Sequence, residues 1–324
     1  MPDAADRAAY AAGPVLARLG DLAVLAVEGA DALAFLQGQT TMDVAALAPD
    51  SWQLGGYCTP KGRLLAIFQA WRQGGDLRLL LPAGIAPGIA RRLSMFVLRA
   101  KVKIRDASAD WTALGLLGAG SAAALSAAGM DPPQLPGSSS LLDGGERIVR
   151  LPGGASCPER FLLLVRAERE AQWHELLAAL PPVGSPLWWW SQIDAAVPSV
   201  FPDTQELFVP QAVNLEVLGG VNFRKGCYPG QEIVARSQYL GKLRRRMFLA
   251  HAAELGEGAD VYQDGAAEPV GRIVMAAGAP EGGWDLLFEC PTDKAERGGL
   301  HAGSAGAPAL QLRALPYVLF DPTA

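Results

Sequence analysis

The chain is poor in the residues that usually build metal centres and crosslinks. Its 324 residues include only three histidines, His174, His251 and His301, and four cysteines, Cys58, Cys157, Cys227 and Cys290. The cysteines are widely separated, form no CxxC pair and have no histidine nearby in sequence. That spacing argues against a structural zinc site, and a disulfide framework has no support in a chain this large. A basic excess is also missing. The formal net charge of −5 argues against an extended nucleic-acid surface, so no direct nucleic-acid partner is expected. No apolar run is long enough to span a bilayer. The first residues, Met1-Pro2-Asp3-Ala4-Ala5-Asp6, lack the basic region and apolar core of a signal peptide. A cytoplasmic protein with no membrane partner is the expectation.

What is present reads as an α+β protein of two or three domains. Leu22 to Val27 reads as a strand, followed by a short helix from Ala32 to Gln37 with Asp31 as cap and Gly38 as stop. Strands at Trp52–Cys58, Arg63–Trp71 and Leu77–Leu81, a helix within Gly88–Leu98 and a strand at Lys101–Arg105 complete a first unit. A second cycle has strands at Thr112–Leu117, Arg147–Leu151 and Phe161–Val165, with helices at Ser121–Ala128 and Glu168–Leu180. Its β-α-β-β-α order suits a ferredoxin-like half-module. From Arg246 to Leu312 short strands between Gly-containing turns predict a small β-barrel. The resulting division is 1–240, made of two α+β subdomains at about 1–106 and 107–240 that are open to interleaving, and 241–324, with the boundary near Gly241.

One segment stands out chemically: Phe223-Arg224-Lys225-Gly226-Cys227-Tyr228-Pro229-Gly230-Gln231-Glu232. A helix start is predicted at Pro229-Gly230, since proline suits the first helical position. A thiol just before a helix N-terminus and beside Arg224 and Lys225 has the setting of a reactive cysteine. The alternative is a small apolar side chain packed under a turn. Any Cys–His pairing depends on spatial proximity that the sequence does not reveal.

With Phe208-Val209-Pro210-Gln211, Asn214-Leu215-Glu216 and Gly219-Gly220-Val221, this segment resembles the signature of the YgfZ family, the folate-binding, iron–sulfur-linked branch of the glycine-cleavage T-protein superfamily. Two upstream pieces agree: Phe35-Leu36-Gln37-Gly38-Gln39-Thr40-Thr41-Met42-Asp43-Val44 and Cys58-Thr59-Pro60-Lys61-Gly62-Arg63.

The resemblance implies three domains in a ring around a central tetrahydrofolate cavity. It implies a role in synthesis or repair of iron–sulfur clusters in client enzymes, reached through iron–sulfur client or assembly proteins, with an indirect effect on tRNA modification. Cys227, assisted by Lys225, is the implied working group. In the aminomethyltransferase relatives an acid in an R-x-E-A-G-like segment bonds the pteridine. The matching stretch is Gln192-Ile193-Asp194-Ala195-Ala196, so Asp194 is the candidate acid, with Trp190, Arg63 and Arg236 as further candidate cofactor contacts. Asp194 is equally readable as a polar residue on a Trp-rich helix, and the two arginines as surface charges. The relatives' aspartate pair near the folate is replaced by Ala66 and Ile67, which implies loss of aminomethyl transfer. Two other readings stay open: a folate-dependent one-carbon transferase, and tRNA contact through Lys242-Leu243-Arg244-Arg245-Arg246.

Overall fold

The computed structural model describes residues 1–239 and 244–319, so the expected boundary at Gly241 lies outside the described residues. Three sheets carry the molecule. The first is a five-stranded antiparallel sheet in the order Trp52–Cys58, Leu64–Gln73, Asp76–Pro82, Leu22–Glu28, Lys103–Asp106. Its central strands are almost wholly buried, which is why Leu64-Leu65-Ala66-Ile67-Phe68 reads as a continuous apolar run.

The second sheet places Arg160–Arg166 between Trp111–Leu117 and Arg147–Leu151, a pairing compatible with the β-α-β-β-α order. It is extended by Val15–Arg18, which pairs with Trp111–Leu117, and by Pro182–Val183. The chain therefore enters through the second sheet before building the first. The third sheet has six antiparallel strands, ordered Leu300–Ala302, Asp260–Gln263, Gly271–Gly278, Trp284–Pro291, Arg245–Ala252, Gln311–Arg313. Its edges meet where Leu310 N–H donates to Leu300 C=O at 2.7 Å and His301 bridges Ala309, so the sheet curls round on itself.

The helix Ser185–Asp194 lies at the joint of these layers. Seven of its ten residues are buried, among them Leu187, Trp188, Trp190 and Ile193, and it packs against strands of the second and third sheets. A helix that is apolar on most sides belongs inside a protein. Gly115, on the strand beneath it, has no side chain because a Cβ there would lie 2.4 Å from the Trp188 ring. Burial of a side chain such as Trp188 contributes roughly 2–3 kcal/mol.

Local details differ from expectation for identifiable reasons. Asp31 does not cap its helix; its carboxylate accepts the Lys101 N–H at 2.7 Å and ties two loops together. The helix expected from Glu168 begins as a 3-10 turn at Ala167–Arg169 and runs as α-helix only over Glu170–Leu176. The signature helix is Gln231–Tyr239, not a helix opening at Pro229. Gly230 has φ +82°, outside the helical range, and presses onto the Cys58–Arg63 turn. Among the described residues no helix is long and apolar enough to cross a membrane.

Candidate functional site

The three sequence segments that carry the family resemblance fold against one another. Lys225 is the pin. Only 8% exposed, its ammonium donates to the carbonyls of Gln37, Thr40 and Met42 at 2.5, 2.6 and 2.9 Å and sits 5.3 Å from the centre of the Tyr228 ring. An ammonium has three protons; all three are spent on the Gln37–Met42 turn. Burial pushes this lysine down to about 8, against the opposing pull of Asp43. Asn222 shapes the loop from the other side. Its Oδ1 accepts the N–H groups of Arg224 and Lys225 at 2.7 and 3.1 Å, and its own N–H donates to Thr41 C=O. Thr41 Oγ1 donates to Gly220 C=O.

The third segment docks through glycines. A Cβ on Gly230 would lie 2.4 Å from Thr59 O and 2.7 Å from Gly62 Cα, and Gly62 itself has φ +70°. Only glycine permits both the left-handed backbone and this approach. This platform presents Cys227 to solvent. Of the four cysteines it alone is exposed. Burial pushes the Cys58 and Cys290 thiols up to about 12 and raises that of Cys157. A thiol that must lose its proton before reacting is inert in such surroundings. Lys225 thus lies beneath the loop with its ammonium taken up by the Gln37–Met42 turn.

Asp194 and Trp190 lie elsewhere, at the joint of the sheets. Asp194 is 1% exposed. One carboxylate oxygen accepts the N–H groups of Ser156 and Cys157 at 2.9 and 2.8 Å; the other pairs with Arg313 Nη2 at 2.7 Å. Gly154 makes room, since a Cβ there would sit 2.2 Å from the carboxylate. Arg313 Nη1 continues to Asp285 at 2.8 Å, which also accepts Trp190 Nε1 at 2.8 Å. The Asp194 carboxylate is thus a latch between the second sheet, the central helix and the curled third sheet. It presents no open fork to a pteridine.

Gln192, which stands where the relatives have arginine, accepts from the wholly buried Arg160, whose Nε also donates to Ser191 Oγ at 3.0 Å. Burial lowers Arg160 to about 10, with Cys157 and Asp194 opposing. On the face of the helix toward Leu64–Gln73, the pocket lined by Ile67, Gln69, Trp189 and Gln192 has about 20 Å³, room for roughly one water. Ala66 and Ile67 are both buried.

The two arginines lie on elements of the signature platform, Arg63 at the end of the turn that meets Gly230 and Arg236 on the helix whose Ser237 lines the same groove as Arg63. Arg63 donates to Leu207 C=O at 2.6 Å and borders a 300 Å³ groove with Phe208 and Glu289. Arg236 is exposed on the signature helix. The structure therefore joins Trp190 to Asp194 through Arg313 and Asp285, and brings neither to Cys227, Arg63 or Arg236.

The Asn214-Leu215-Glu216 motif has a structural role. Asn214, at φ +57°, exchanges hydrogen bonds with the Met247 backbone at 2.9 and 3.3 Å, and Glu216 pairs with Arg246 in near-complete burial. In the basic run, Lys242 and Leu243 lie outside the described residues; Arg245 pairs with Glu289 at 2.6 Å. Sequence reasoning missed Arg313, Asp285, His251, Arg160 and Tyr10. For Arg160 the available signal was a cation heading the apolar run Phe161-Leu162-Leu163-Leu164. The others gain meaning only from strand register.

No family model matches the chain. Among curated proteins it is 34% identical over 251 residues to the tRNA-modifying protein YgfZ of Edwardsiella ictaluri, covering 74% of each chain. It is 30% identical to that of Vibrio vulnificus over 71% of this chain and 68% of the relative. To that of Sodalis glossinidius it is 26% identical over 94% and 93%. Among solved structures it superposes on the glycine cleavage system aminomethyltransferase T from Bartonella henselae with a TM-score of 0.76, over 97% of this chain and 89% of that one, at 19% identity. The fold is that of the aminomethyltransferase, and the chain belongs to the YgfZ family.

Proposed function

We propose that this protein is a folate-binding accessory factor for the synthesis or repair of iron–sulfur clusters in client enzymes, with Cys227 as its functional thiol. The observation that carries the reading is the exposure of Cys227 alone among the four cysteines, on a loop braced by all three signature segments. A thiolate can ligate iron transiently or exchange sulfur with a partner. One cysteine does not hold a cluster by itself, so the work is shared with a client or assembly protein. The relatives are named for tRNA modification. In this reading the link is indirect, through cluster-dependent modifying enzymes, in keeping with the acidic chain and the ion-paired Arg245 and Arg246.

Tetrahydrofolate is proposed as a ligand on the strength of the family. Asp194 does not fit as its pteridine anchor, because its oxygens are occupied by Arg313, Ser156 and Cys157. No chemical step is therefore routed through folate. The buried Ala66 and Ile67 leave no carboxylate at the positions of the relatives' aspartates, which weighs against one-carbon transfer.

The test is complementation of a bacterium lacking its YgfZ protein, reading the activity of a cluster-dependent tRNA-modifying enzyme. Wild-type protein restores it and Cys227→Ala does not. Restoration by Cys227→Ala removes the thiol from the account, and robust product formation from tetrahydrofolate and a one-carbon donor replaces it with a transferase.

A further inference from the structure

An opening of about 530 Å³ lies between the N-terminal helix, the loop around Ser156 and the curled third sheet. That is the size of a small-molecule pocket, typically about 300–1,000 Å³. None of its lining residues belongs to the three signature segments. Strand register builds one wall. Asp285 pairs with His251 across one strand boundary and His251 with Gln311 across the next, so the three side chains form a row on one face. Arg313, two residues after Gln311, shares that face.

The opposite wall is the helix Ala4–Ala12, which turns Arg7, Tyr10 and Ala11 inward at helical spacing i, i+3, i+4. This helix is strapped down at two points. Asp6 accepts the Gly184 N–H at 3.1 Å, and the Tyr10 hydroxyl donates to Ser156 C=O at 2.7 Å. Tyr10 packs edge-on against Trp190, ring centres 5.3 Å apart, and supplies an aromatic surface.

The chemistry of the wall is directional. Asp285 is a buried carboxylate whose Oδ1 is 2.9 Å from His251 Nδ1, while its Oδ2 takes Trp190 and Arg313. A carboxylate in this position fixes the imidazole with its proton on Nδ1, leaving Nε2 as an acceptor. His251 keeps about a third of its side chain exposed. Arg7 forms no ion pair among the described residues, Glu281 on the same lining included, so its guanidinium is available to an anion at the rim.

We propose that this cavity is a binding site for a small planar aromatic acid. The ring lies against Tyr10, a hydroxyl or ring N–H of the ligand donates to His251 Nε2, and its carboxylate pairs with Arg7. The site uses no residue of the Cys227 loop, and of the candidate folate contacts it shares only Trp190, so failure of the Cys227 reading leaves it untouched.

The probe is 4-hydroxybenzoate, which carries all three features, compared with 4-hydroxybenzamide, which lacks the charge. With only three histidines in the chain, imidazole ¹⁵N spectra read His251 directly, assigned by its loss in His251→Gln. The expected result is saturable binding that moves the His251 resonances and leaves those of His174 and His301 in place. Arg7→Gln should weaken the acid at least tenfold and leave the amide unchanged; His251→Gln should weaken both. Thermal melts of each variant at the wild-type midpoint exclude misfolding as the cause. Absence of saturation at millimolar probe, an equal effect of Arg7→Gln on acid and amide, or shifts confined to His174 or His301 would overturn the proposal.

Discussion

The signature platform around Lys225 and the latch around Arg313 are both polar clusters at the joints of a three-sheet molecule, and they spend their polarity differently. On the platform one buried cation satisfies three backbone carbonyls, and the product of that bracing is an exposed cysteine. In the latch two buried carboxylates share one arginine and satisfy backbone N–H groups, an indole and an imidazole. The first arrangement supports a group that reaches out. The second consumes the acid that the family pattern would have assigned to a ligand. A residue aligned with a binding residue is therefore not thereby a binding residue; what decides is whether its lone pairs are already taken.

Substitutions that remove one member of each cluster sharpen this contrast. The largest loss is expected from Arg313→Met, which leaves Asp194 and Asp285 buried without their shared cation. Stranding a buried charge costs about 3–5 kcal/mol, to be read by urea denaturation, with protease cleavage between the second and third sheets as a local sign. Lys225→Met comes next. It orphans three carbonyls, at about 1 kcal/mol for each one left without a donor, and should expose the Gln37–Met42 turn to hydrogen exchange.

Gly230→Ala is smaller, about 1–3 kcal/mol for a side chain at positive φ, because its Cβ would press on Thr59 O. It should also raise the mobility of the Cys227 loop. Last, alkylating Cys227 should change stability by less than about 0.5 kcal/mol, as expected of an exposed group. In mass spectrometry of the folded protein it should take up reagent well before Cys58, Cys157 or Cys290. Comparable labelling of a buried cysteine would break the contrast.

Much of the architecture was legible in the sequence because apolar periodicity is local. The strands at Trp52–Cys58 and Arg147–Leu151 stand where the pattern places them, and most others differ by one or two residues at their ends. The short strands Val15–Arg18 and Leu300–Ala302 were missed, since three or four residues carry no period of their own and owe their state to partners far along the chain. The signature segments were legible as a pattern, yet the meaning of their residues was not. Lys225 reads as a thiol's neighbour until its ammonium is seen among the carbonyls of Gln37, Thr40 and Met42. Asp194 reads as a ligand contact until Arg313, 119 residues later, is found on it. His251 and Asp285 are unremarkable 34 residues apart and become a pair only through strand register.

The most direct test of the central claim compares Cys227→Ser with Lys225→Met in one complementation assay, each also measured for thermal stability as purified protein. Cys227→Ser should melt with the wild type and restore no activity to cluster-dependent enzymes. Lys225→Met should melt lower and retain activity in proportion to its folded fraction. Full activity in Cys227→Ser, or a fully stable and wholly inactive Lys225→Met, would contradict the assignment of function to the exposed thiol and of support to the buried lysine.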